Sequence, residues 1–152
     1  MSVEQKLIDA VMSRITADDA KMLMVELARI PSPLTPMMEA EPKLREFIDI
    51  AVEPRVRDWG AKIYRDQMGN LLATLGTNQS GRSVMLVTNA MTQPAATMHN
   101  PFGGEVRNGR DYDLPGEVVL AKGVSEQKAP LSAILLALRA IVACGVPIRD
   151  TP

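Results

Sequence analysis

The chain has 152 residues, 46% of them hydrophobic, and a formal net charge of -1. That length allows one domain with a substantial core, and the near-neutral charge without a basic run argues against nucleic acid as a partner. Five aromatics (Phe47, Trp59, Tyr64, Phe102 and Tyr112) are too few for stacking along a single strand, so the core must rest on Leu, Ile, Val, Ala and ten Met.

A single cysteine, Cys144, excludes an internal disulfide and fits a reducing compartment. It lies inside an apolar run and reads as a buried, inert thiol. The first fifteen residues carry charges throughout and do not read as a secretory signal. The longest apolar run, Ala129–Val142, is broken by Arg139 and falls short of the about 20 residues a bilayer requires. The expectation is a cytoplasmic protein with no membrane partner.

In chain order, Val3, Leu7, Val11, Met12 and Ile15 repeat at helical spacing and predict an amphipathic first helix. Thr16-Ala-Asp-Asp reads as an N-cap with an acidic first turn, opening a second helix to about Arg29. Pro31, Pro33 and Pro36 stop it. A third helical stretch runs from about Glu41 to Trp59, with Leu44, Phe47, Ile48, Val52 and Val56 inward, a kink or division at Pro54 and a close at Gly60. The acids Asp18, Asp19, Glu39 and Glu41 read as solvated helix ends.

The texture then changes to β. Lys62–Met68, a turn at Gly69-Asn70 and Leu71–Leu75 predict a hairpin, followed by a loop over 77–82. Val84–Val87 reads as a short buried strand, residues 93–116 as a long connection, and Glu117–Ala121 as a short extended piece. Pro130 suits the first turn of a last helix running to Cys144 and stopped by Gly145. Leu131, Ile134, Leu135, Leu136, Leu138, Ile141 and Val142 make that helix apolar on most sides, so it expects cover on more than one face.

These elements amount to a single α/β domain with too few strands. A parallel central strand needs neighbours on both edges, and an open edge beside an apolar helix is a surface that proteins normally cover. A second chain or a second copy completing the sheet is the partner this layout implies.

Several segments, taken in order, resemble the N-terminal part of the catalytic domain of the dinuclear zinc aminoacylase family. That family includes acetylornithine deacetylases, succinyl-diaminopimelate desuccinylases and glutamate-releasing carboxypeptidases. The segments are Leu27-Ala-Arg-Ile-Pro-Ser32, Trp59-Gly60, Asp66-Gln-Met-Gly-Asn-Leu-Leu-Ala73, the strand before Thr88, Pro101-Phe-Gly-Gly104 with Asn108-Gly109, and Gly123-Val-Ser-Glu-Gln-Lys128. The resemblance covers roughly residues 20–146. It implies an incomplete three-layer, aminopeptidase-like sheet flanked by helices, with residues 1–152 forming one partial catalytic-type domain.

The site that the resemblance implies is altered. The family's strand ends in Gly-His-x-Asp-Thr, with the His on a metal; here the corresponding residues are Thr88, Asn89, Ala90, Met91 and Thr92. An amide is a poor zinc ligand beside imidazole, and Met91 cannot supply the carboxylate that orients one. The family's bridging Asp corresponds to Glu126, and its turn lysine to Lys128. The resemblance therefore implies Glu126 as a metal ligand, Asn89 and Lys128 as substrate-binding groups, and at most one divalent ion, zinc or similar, or none. The Glu-Glu pair and the remaining ligands of the family come after the region matched. The stretch Arg110–Gly116 departs from the family's compact loop.

Read without the resemblance, Glu126 is a charge at a helix start, Asn89 a polar residue capping a turn, and the lone His99 a loop residue. No Gly-rich phosphate-binding motif occurs, and nothing orients Ser125 and His99 as a nucleophile–base pair. Two functions stay open. One is a subunit or fragment of a metal-dependent amide-bond hydrolase acting on a small amide substrate and completed by a partner. The other is a binding or assembly module that kept the hydrolase fold and lost the metal.

Overall fold

Ser2 and Thr16 fix where the first two helices begin. In the computed structural model, which describes residues 2–76, 83–146 and 148, Ser2 Oγ accepts from Gln5 N at 3.1 Å and opens α1, Val3–Met12. Thr16 Oγ1 accepts from Asp19 N at 3.0 Å while the Asp19 carboxylate accepts from Thr16 N at 3.1 Å. This reciprocal box satisfies two helix-end donors and opens α2, Ala17–Arg29.

The expected third helix is divided in three: α3, Pro42–Phe47; a wide π turn, Ile48–Val52; and α4, Glu53–Asp58. Pro54 explains the division. It has no N–H to give, and its ring would press on the carbonyl four residues back, so the preceding turn widens. Gly60, at φ +81°, ends the unit in the left-handed region.

The hairpin forms as read, with β1, Lys62–Arg65, antiparallel to β2, Leu71–Thr74, and Ile63 opposite Ala73. Asp66 builds its turn: the carboxylate accepts from Met68 N, Asn70 N and Asn70 Nδ2 at 2.8–3.0 Å. A second hairpin lies partly inside the stretch read as a connection. There β3, Glu105–Asn108, pairs antiparallel with β4, Glu117–Leu120. Arg110–Gly116 closes it through a 3₁₀ turn at Gly109–Tyr112 and a left-handed Asp113. The last element is α5, Lys128–Ala143.

The core gathers Leu27 from α2, Phe47, Ala51 and Val56 from the divided helix, and Leu131 and Leu135 from α5. Full burial of a side chain such as Leu27 or Phe47 contributes about 1.5–3 kcal/mol, and these six come from three helical segments that only tertiary packing brings together. α5 packs mainly against α2 and also against α1.

The architecture is mixed α/β, with two small antiparallel sheets among the described residues. Three expectations are corrected. Val84–Val87 is neither buried nor part of a sheet: these residues are 88%, 79%, 54% and 77% exposed. An apolar run becomes a buried strand only when something covers it, and among the described residues nothing does. In place of a parallel central strand there is one parallel bridge, Pro33 to Thr92. Glu41 is not solvated; it is buried and accepts from Thr35 Oγ1 at 2.6 Å and Lys43 N at 3.2 Å. The Thr35 hydroxyl holds its carboxyl below the usual range. Cys144 is half-buried, its thiol 3.5 Å from the Ala10 carbonyl. The loop read over 77–82 lies outside the described residues.

Candidate functional site

Thr92 is the point where the segments singled out in the sequence converge. Its N–H donates to Ser32 O and its carbonyl accepts from Leu34 N, both at 2.7 Å. Ser32, fully buried, returns its hydroxyl to Ala90 O at 2.7 Å. The Pro-rich break after α2 is thereby stitched to the end of the 83–92 segment.

Gly123 packs against the other side of Thr92. A Cβ at Gly123 would lie 2.3 Å from Thr92 Cγ2, and the residue's φ of +81° disfavours any side chain there. The Gly123 carbonyl accepts from Lys128 N at 2.8 Å and Gln127 N at 3.2 Å, which folds the turn onto the start of α5. Lys122 N reaches Pro101 O at 2.6 Å, tying in the Pro101–Gly104 segment. Glycine is thus required for close approach, and the small residues Ser32 and Thr92 fit the same crossing.

The three predicted site side chains meet different environments. Lys128 is fully buried; its Nζ donates to Leu27 O and Ile30 O, each at 2.6 Å, and lies 4.6 Å from the centre of the Phe47 ring. Burial pushes its ammonium down to about 8, while carbonyls at the negative end of α2 and the ring face favour the charge. The lysine faces the end of α2, not solvent. Asn89 and Glu126 are exposed, and Glu126 Oε2 accepts from Gln127 Nε2 at 3.2 Å. His99 sits on an exposed bend. The structure brings the two turns together at Thr92 and Gly123 and leaves Lys128 beneath them.

Two side-chain oxygens here are buried with no partner among the described residues, Thr88 Oγ1 and Gln127 Oε1. Both belong to the converging turns, and Gln127 Oε1 would lie 3.4 Å from a Cβ placed at Gly123. Ser32, Thr92 and Gln127 lie within the segments that carry the resemblance, but sequence reading assigned none of them a role; beyond that, their signal was small or amide residues next to chain-reversing Pro and Gly.

A zinc centre wants about three protein donors of N, O or S type. Among the described residues no group of three His, Cys, Asp or Glu side chains is placed to hold an ion. One exposed carboxylate and one exposed amide, beside an inward-facing ammonium, do not fit a divalent-metal centre by themselves. No helix among the described residues is long and apolar enough to cross a membrane. In comparison with known proteins, the chain matches no family model, no curated protein and no solved structure.

Proposed function

We propose that this chain is a binding and assembly module, an incomplete aminopeptidase-like frame that works by contact with a second chain or a second copy. The observation that carries this reading is Val84–Val87, four consecutive apolar residues, each more than half exposed. A contiguous apolar surface of that kind is costly in water and marks interaction sites. The segment also has no sheet partner among the described residues, so an added strand could take up its N–H and C=O groups. Lys128 supports the same reading, since its ammonium is engaged in holding α2 to α5 rather than free for a substrate.

The test is native mass spectrometry with sedimentation velocity on the wild type and on a V84K/L86K variant. Both substitutions fall within the exposed run, at residues 88% and 54% exposed. The expected result is a wild-type assembly larger than one chain that the variant loses while its circular dichroism stays unchanged. An assembly that V84K/L86K retains would overturn the reading, and a wild type that is monomeric at every accessible concentration would exclude a second copy as the partner.

A second reading, a subunit of an amide-bond hydrolase, is favoured by the contact of Gly123 with Thr92, which sets the turn bearing Glu126 against the segment bearing Asn89. On this reading the partner supplies the missing ligands and the catalytic glutamate. Glu126→Gln would then abolish amide hydrolysis by the assembled complex and leave assembly intact. Under the assembly reading, there is no hydrolysis for it to abolish.

A further inference from the structure

We infer that the cleft between α2, α4, α5 and β3 binds a small monocarboxylate with an apolar body, through Arg29. The cleft has a volume of about 780 Å³, and its apolar wall includes Leu23, Ile30, Trp59, Val106, Leu135 and Leu136. A concave, mostly apolar site of roughly 300–1,000 Å³ with a few polar groups is the usual form of a small-molecule site.

The charges around the cleft decide which ligand it accepts. Lys21 is paired with Asp18 and Glu117, Arg55 with Glu26, and Arg139 with Asp19. Arg29 has no carboxylate partner among the described residues. Its Nε donates to Gly103 O at 3.2 Å, and neither terminal nitrogen has an acceptor among the described residues. An Arg side chain only donates hydrogen bonds, so a ligand that satisfies Arg29 must bring acceptors. A carboxylate matches the guanidinium fork with two parallel bonds, while its apolar body lies along the Leu and Ile wall. A cationic or purely apolar ligand would leave Arg29 unanswered.

Trp59, the only tryptophan in the chain, reports on the cleft directly. The experiment is a fluorescence titration of the full chain with octanoate, and in parallel with octanamide, its neutral counterpart. Octanoate is expected to change Trp59 emission saturably, with half-saturation below about 1 mM. Octanamide is expected to bind about tenfold more weakly. R29Q should bring octanoate down to the level of octanamide, and R29K should recover part of the loss, because charge returns without the fork. Arg29 is exposed, so neither variant threatens the fold, and unchanged circular dichroism checks that. Equal binding of octanoate and octanamide would overturn the inference, as would octanoate binding unaffected by R29Q. So would an absence of any Trp59 response, including one caused by a second copy filling the cleft in a dimer detected by sedimentation. The assembly reading is tested on residues 84 and 86, outside this cleft, so either result leaves the other independent.

Discussion

Lys128 Nζ lies 2.6 Å from the carbonyl oxygen of Leu27, a residue 101 positions earlier in the chain. With the equal bond to Ile30 O, this ammonium closes the C-terminal end of α2 from the first turn of α5. Helix-end carbonyls have no partner within their own helix, and a cation there also meets the negative end of the dipole. Replacing Lys128 by Ala would leave the Ile30 carbonyl unpaired and the Leu27 carbonyl with only the Ile30 N–H at 3.3 Å, over a cavity beside Phe47, costing about 3 kcal/mol. Lys128→Met, which fills the space without donors, should cost less, about 1–2 kcal/mol. Urea unfolding midpoints of the two variants against wild type measure both.

The same lysine gives a pH signature. Its folded value, pushed by burial to about 8, lies below the ordinary 10.5. Between these values the unfolded chain holds more protons than the folded one, so stability rises with pH. The burial penalty is fully present below pH 8 and is relieved towards pH 10.5. The stability difference between wild type and Lys128→Met should therefore move in favour of wild type from pH 7.5 to pH 10. A flat difference would mean that the Leu27 and Ile30 carbonyls hold the ammonium charged throughout.

Asp19 predicts the opposite end of the pH scale. The Thr16 hydroxyl, with Arg139 beside it, lowers its carboxyl from 3.8 to about 2. A depressed acid contributes stability above its unfolded value and loses it as pH falls through the folded one. Thr16→Ala removes the cap and the stronger of these interactions, so it should cost about 1 kcal/mol at neutral pH. Acid titrations followed by circular dichroism should show the gap between wild type and Thr16→Ala narrowing between pH 4 and pH 2.

Gly123→Ala should be severe. The new methyl would meet Thr92 Cγ2 at 2.3 Å on a backbone at φ +81°. Left-handed strain of about 1–3 kcal/mol adds to the displacement of Thr92. In contrast, Gly116→Ala shares the positive φ but meets nothing within 4 Å, so it should show the backbone cost alone. Thermal midpoints of the two variants separate the contact from the strain.

Ser32→Ala tests the stitch between the Pro-rich break and the 83–92 segment. Its hydroxyl is the group bonded to Ala90 O at 2.7 Å in a fully buried position. Loss of about 1–2 kcal/mol is expected, with hydrogen exchange at Leu34 and Thr92 accelerating before that of α5.

The sequence by itself determined the local features. Thr16-Ala-Asp-Asp announces an N-cap with an acidic first turn, Pro54 breaks a helix, Asp66-Gln-Met-Gly-Asn70 turns a hairpin, and the leucines of 131–138 make a helix that must be covered. Each is set by groups a few residues apart, so the pattern and the physics coincide. β3 escaped because Glu105–Asn108 is polar and short; its strand character comes from pairing with β4, not from its own composition. Val84–Val87 erred the other way: apolarity promises burial only if a neighbour exists, and the described structure supplies none. Asn89 and Glu126 were legible as candidates through a resemblance of segments, and the convergence of their turns at Thr92 and Gly123 is a property of the packed chain. Tertiary structure alone decided that Lys128 faces inward. A lysine's four-carbon stem lets its charge lie in solvent or beneath the surface, and the two carbonyls that hold it belong to a helix end about a hundred residues away. It likewise decided that Arg29 stands without a carboxylate among the described residues, because packing, not spacing along the chain, brings Glu117 to Lys21, Glu26 to Arg55 and Asp19 to Arg139.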